Sequence, residues 1–146
     1  MTGLPQWIGK ENSKFEYRNS KQARMSEAEE SSKRYDLDER TLQFARDVRA
    51  FIKTLPRTVA NDEDTRQLVR ASGSVGANYI EANDSLGKKD FVMHIKISRK
   101  EAKESRYWLR LLDTGENATV DKNRDGLIQE ATELMNIFGS IVRKSE

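Results

Sequence analysis

RASGSVGANYIEANDSLGKKDFVMHIKISRKEAKESRYWLRLL, from Arg70 to Leu112, is the stretch whose reading decides the fold. It reads as two long helices joined by a short polar link. In the first, which begins near Thr65 and runs to Asn83, Leu68, Ser72, Val75, Tyr79 and Ala82 recur at helical spacing on one face. Val69, Gly73, Gly76 and Ile80 form a neighbouring face. An interior glycine costs roughly 1 kcal/mol against alanine in a helix, and close approach of another backbone offsets such a cost. The ASGSVGA run therefore marks a tight helix–helix contact, either within the subunit or across an oligomer interface. Asp84 to Gly87 is the link. From Lys88 a second amphipathic pattern places Phe91, Ile95, Ser98, Ala102, Ser105, Trp108, Leu109 and Leu112 on a buried face, with Asp90 near the positive end of the helix dipole. Extended to Thr114, that helix is about 40 Å long at 1.5 Å per residue.

Two more helices flank this pair. Asp36 and Glu39 are spaced like a capping box. Phe44, Ala45, Val48, Phe51, Ile52 and Leu55 then follow at three- and four-residue steps until Pro56, which has no N–H to donate and disfavours helix at the residue before it. Arg57 to Asp64 is expected to be a polar loop, and Gly115 to Arg124 a polar connection. Beyond it, Leu127, Ile128, Ala131, Leu134, Met135, Phe138, Ile141 and Val142 give the cleanest amphipathic pattern in the chain. No segment alternates with the period of a strand. The fold expected is all-α: an antiparallel up-down four-helix bundle over residues 36–144. Residues 1–35 carry scattered Leu4, Trp7, Ile8, Phe15 and Tyr17 among polar residues, too little apolar surface to offset the entropy of ordering, and are expected to form a flexible polar tail.

Composition narrows the function classes. The chain has 146 residues with 36% hydrophobic and 34% charged, which fits one helix-rich domain with a modest core. There is no cysteine, hence no disulfide framework, thiolate metal site or cysteine nucleophile. Apolar runs are too short to span a membrane, and Met1 to Ile8 offers no secretory signal, so a soluble cytoplasmic protein is expected. Net charge is only +2, yet residues 88–114 carry 8 basic and 4 acidic groups. The positive charge is concentrated on one helix.

On that helix Lys89, Lys96, Lys103 and Arg110 stand seven apart, and Arg99, Lys100 and Arg106 fall between them on the same side. Such a ridge, flanked by Tyr107, suits the spaced phosphates of a nucleic acid, whose affinity is dominated by counterion release. The competing reading is a solvated helix face whose cations pair with Asp90, Glu101 and Glu104. A second group, Arg70, Asn78, Glu81 and Glu104, with Arg99, is spaced to meet between the two central helices as a register-fixing polar network.

His94 is the only histidine. A di-iron bundle needs two Glu-x-x-His motifs, so His94 is expected at the edge of the core, and neither a metal nor a cofactor is expected. Asp121 to Thr132, DKNRDGLIQEAT, fills several positions of a calcium loop but places Thr132 where a bidentate Glu is required. A helix start explains the same residues. No nucleophile–base pairing or phosphate-binding glycine loop is present, so an enzyme is not expected.

LVRASGSVGANYIEA (Leu68 to Ala82) and KKDFVMHIKISRKEAKESRYWLRLL (Lys88 to Leu112) carry a resemblance. From Tyr35 to Lys144 the chain resembles the four-helix-bundle proteins encoded by intervening sequences of bacterial large-subunit ribosomal RNA genes. More distantly, it is similar to the accessory bundle protein of diversity-generating retroelements. Arg70, Ala71, Asn78, Glu81 and Glu104 fill the family's pattern, and Ala82 departs from it where many members have glycine. The resemblance implies a homo-oligomer, a five-fold ring (pentamer) with a central channel. Through the distant relative it also implies RNA or DNA binding and a reverse-transcriptase partner. The expectation is a non-enzymatic oligomeric bundle that binds nucleic acid through the third-helix ridge. Its rival is a structural or protein-interaction bundle, an adaptor with no nucleic-acid role.

Overall fold

The computed structural model describes residues 37–146. The tail expected over residues 1–35 and the Asp36 cap lie outside the described residues. Four helices follow one another: α1 over residues 37–52, α2 over Val59–Asn83, α3 over Lys88–Leu111 and α4 over Ala118–Ser145. No strand occurs among the described residues. The antiparallel order is visible in the pairings. Val75 and Asn78 of α2 meet Ser98 and His94 of α3, and Lys96 near the start of α3 meets Glu146 just past the end of α4.

Two helix starts differ from the sequence expectation, for one physical reason. Polar residues at a helix start look like loop until their capping bonds are known. α2 begins at Val59, not near Thr65, because the Thr58 side chain caps it by accepting from Asn61 N at 3.0 Å. α4 begins at Ala118, not after Arg124, because Asn117 Oδ1 accepts from Thr119 N and Val120 N. Asp121 to Thr132 is therefore helical and forms no calcium loop. Asp121 instead accepts from Thr114 Oγ1 and pairs with Arg124 at 3.5 Å. α3 stops at Leu111, short of Thr114, which makes it about 36 Å long.

Both loops at one end of the bundle are tied through a buried side chain. Asn61, only 2% exposed, donates from Nδ2 to Pro56 O (3.0 Å) and Asp113 O (2.9 Å), and its Oδ1 accepts from Asp113 N (3.0 Å). Gly115, in the left-handed region at φ +69, turns the second loop beside Pro56.

The core is one cluster drawn from all four helices, with Phe44, Tyr79, Phe91 and Phe138 as its largest buried side chains. Between α2 and α3 it narrows. Ser72, Ser98 and Ser105 are wholly buried, and Ser98 Oγ donates to Val75 O at 2.9 Å across the interface. The α2 glycines instead meet α1: a Cβ on Gly76 would stand 2.8 Å from Thr41 Oγ1, and one on Gly73 would stand 3.4 Å from Arg49 Nη2. The small-residue run is thus spent inside the subunit, where it lets α1 and α3 close on α2. On the far side Arg40 of α1 grips Glu130 of α4 through two 2.8 Å bonds and reaches Glu133 at 2.9 Å. That geometry raises the Arg40 pKa, mainly through the Glu130 hydrogen bond.

Candidate functional site

α3 is buried along Phe91, Ile95, Ser98, Ala102, Ser105 and Leu109, which leaves two flanks of opposite charge. The flank towards α2 holds the carboxylates. Asp90 Oδ1 lies 3.6 Å from His94 Nε2, and His94 Nδ1 lies 3.3 Å from Asn78 Oδ1 on α2. The lone histidine is thus a hydrogen-bonded residue at the core edge. Two turns beyond His94, Glu101 hydrogen-bonds Glu104. Burial first, then the Glu104 hydrogen bond, pushes the Glu101 carboxyl above the ordinary carboxylate value, against an opposing pull from Lys100 and from Arg70 on α2.

The flank towards α4 holds the cations. Lys96, Lys100 and Lys103 are exposed and Arg99 and Arg106 half-buried. These five line a groove of about 620 Å³ whose opposite wall is Met135, Asn136, Gly139 and Arg143 of α4. Lys89 is exposed at the start of α3, by a neighbouring groove, and Arg110 is exposed in the last turn. Lys96 pairs with Glu146 at 3.1 Å. Arg99, Lys100, Lys103, Arg106 and Arg143 have no ion pair among the described residues. The carboxylates of α3 are turned to the other flank; Lys100 still exerts a pull on Glu101, but none of these cations forms an ion pair with an α3 carboxylate.

The inter-helix network does not form as one unit. Arg70 is exposed and donates to Gln67 Oε1 at 3.2 Å, Glu81 is exposed, Asn78 joins His94, Glu104 joins Glu101, and Arg99 lies on the α4 side. Contact between α2 and α3 is made by serines and tightly packed apolar residues, which leaves no interior space where charged side chains could meet. The polar groups are displaced to its edges.

Sequence reasoning missed the α4 wall. Its signal was present in the interior glycine at 139, followed one turn later by Arg143. Among the described residues no group of three His, Asp or Glu side chains is placed to hold a metal ion. No helix among them is long and apolar enough to cross a membrane.

Residues 33–140 match the model of the 23S rRNA-intervening sequence protein family. The chain belongs to that family. The match takes in all of α1 to α3 and most of α4, including Arg99, Lys103, Arg106 and Gly139, and stops short of Arg143. Among solved structures the chain is similar to a protein of unknown function from the S23 ribosomal protein family of Bacteroides thetaiotaomicron. The two are 28% identical with a TM-score of 0.61, over 73% of this chain and 97% of the other. The family fold thus spans nearly the whole of that neighbour. No curated protein matches this chain.

Proposed function

We propose that this protein is a non-enzymatic, oligomeric bundle that binds RNA or DNA in the cytoplasm through the cationic flank of α3. One observation carries the reading: the cations of α3 gather on the side away from its carboxylates, and five groove cations have no ion pair among the described residues. Holding like charges together without counter-ions is unfavourable, and a polyanion relieves it while releasing its own condensed counterions. In the pentameric ring that the family resemblance implies, the flank repeats five times, and multivalency raises affinity without any new kind of contact.

A salt titration of binding to a short RNA and a short DNA tests the reading. Wild-type affinity falls steeply with salt, and the Lys96→Glu, Lys103→Glu, Arg110→Glu triple variant loses binding. Binding that ignores salt, or survives the triple variant, removes it. Light scattering with and without RNA reads the oligomer in the same samples.

A protein-interaction role is favoured by a separate feature, a groove of about 720 Å³ lined by Val92, Met93 and Ile97 together with Lys88 and Lys89. An apolar contact there holds its affinity as salt rises, so the same titration distinguishes the two roles.

A further inference from the structure

The groove beside α3 draws one of its cations from a different helix. Arg143 lies in the last turn of α4, exposed, and faces Arg99 across the groove. Between them is Gly139, a buried residue in the C-terminal part of α4. A Cβ built there would stand 3.4 Å from Arg143 Nη1 and 3.7 Å from Arg99 Cδ. Both arginine side chains therefore lie over one point of the α4 backbone, and neither has an ion pair among the described residues.

The two positive charges share one groove and repel each other, and the repulsion is strongest where water is partly excluded. Each also presents a planar fork of donors matched to the oxygens of a phosphate. Arg99 is half-buried, so its stem is held by the α3–α4 contact while its charged end is left at the groove. Lys103 and Arg106 continue the same wall, and Asn136 adds a neutral amide opposite them.

We propose that the α3–α4 groove is a two-helix phosphate seat: Arg99 of α3 and Arg143 of α4 together hold one backbone phosphate of a bound nucleic acid above Gly139. This rests on the nucleic-acid reading above and adds to it the α4 residue and the position. A ridge on one helix orients a polyanion only along its length. Cations converging from two helices fix one phosphate in the groove and so set the strand's register.

The test uses the full chain and a short fluorescein-labelled oligouridylate, with anisotropy read over a range of salt. Lys144 is the matched control: it is adjacent to Arg143, exposed, equally charged, and does not line the groove. Arg143→Gln weakens binding about tenfold at low salt, as expected for loss of a charge-assisted bond. Replacing both arginines lowers the salt slope by about 0.7, the value for one phosphate on a single strand. Lys144→Gln changes affinity less than twofold. Arg99→Gln matches Arg143→Gln, and the double variant loses less than the product of the single losses, because both arginines serve one phosphate.

Equal effects of Arg143→Gln and Lys144→Gln overturn the seat, as do fully multiplicative losses in the double variant. If wild type binds and Lys103→Glu abolishes binding while Arg143→Gln leaves it unchanged, the ridge stands and the seat falls. If wild type binds no oligonucleotide, both fall. Helical content and melting temperature equal to those of Lys144→Gln establish that each variant is folded.

Discussion

Gly76 of α2 faces Thr41 of α1 so closely that a methyl group on the glycine would stand 2.8 Å from the threonine hydroxyl and 3.1 Å from its Cβ. Thr41 is itself held in place, buried, with Oγ1 donating to Leu37 O at 2.8 Å. It cannot swing away without breaking that bond.

Gly76→Ala is therefore expected to destabilise the protein. Overpacking costs about 1–3 kcal/mol, which exceeds the roughly 1 kcal/mol that alanine contributes as the better helix former. Gly126 supplies the contrast. It lies in α4 with no atom within 4 Å of where its Cβ would go, so Gly126→Ala is expected to stabilise by up to about 1 kcal/mol. Urea unfolding of both variants checks the opposite signs.

Asn61→Ala is expected to cost about 3 kcal/mol. The substitution leaves Pro56 O, Asp113 O and Asp113 N without the side chain that satisfies them, in a site shielded from water. Asn61→Asp recovers little, since a carboxylate can accept from Asp113 N but cannot donate to either carbonyl. Thermal melts of the two variants should lie close together and well below wild type.

The Glu101–Glu104 pair predicts a pH dependence. Burial raises the Glu101 pKa above the ordinary 4.5, so the folded state holds a proton that the unfolded state has already released. Its contribution is fully present below the unfolded value and is lost as pH rises through the folded one. Glu101→Gln keeps the hydrogen-bonding shape without the charge. Stability should therefore fall less with pH just above 4.5 in the variant, and the variant should be the more stable protein at neutral pH. Urea midpoints measured across that range decide it; parallel curves for the two proteins would contradict the pairing.

Tyr107 is 56% exposed on α3, edge-on to Trp108 at 5.1 Å, and one turn from Lys103. If the cationic flank tracks a nucleic-acid backbone, this ring is placed to stack a base. Tyr107→Ala is expected to weaken binding to a single strand by about 1 kcal/mol, with the salt slope unchanged because no charge is removed. Anisotropy titrations at two salt concentrations separate this from an electrostatic loss.

Arg40 and Glu130 join the first helix to the last through two 2.8 Å bonds. Surface ion pairs are usually worth little, but a bidentate, part-buried arginine–carboxylate pair lies at the favourable end. A double-mutant cycle with Arg40→Ala and Glu130→Ala should return a coupling of about 1 kcal/mol, reduced at high salt.

Amino-acid order alone determined the four helices, their antiparallel succession and the faces they bury, because apolar spacing records a period that no neighbour has to supply. It also placed the cations on one side of α3. Capping bonds were beyond its reach: Thr58 and Asn117 look like loop residues until their side chains close on the amides that follow. So was the destination of every polar residue on the central pair. Arg70, Asn78, Glu81 and Glu104 have spacings that permit a common network, but buried serines and apolar side chains bring the helices too close to admit one. Likewise, the register of α4 against α3 is set by packing across the whole core. Only that packing carried Arg143 to Arg99 over Gly139, a distance in sequence across which no local pattern can act.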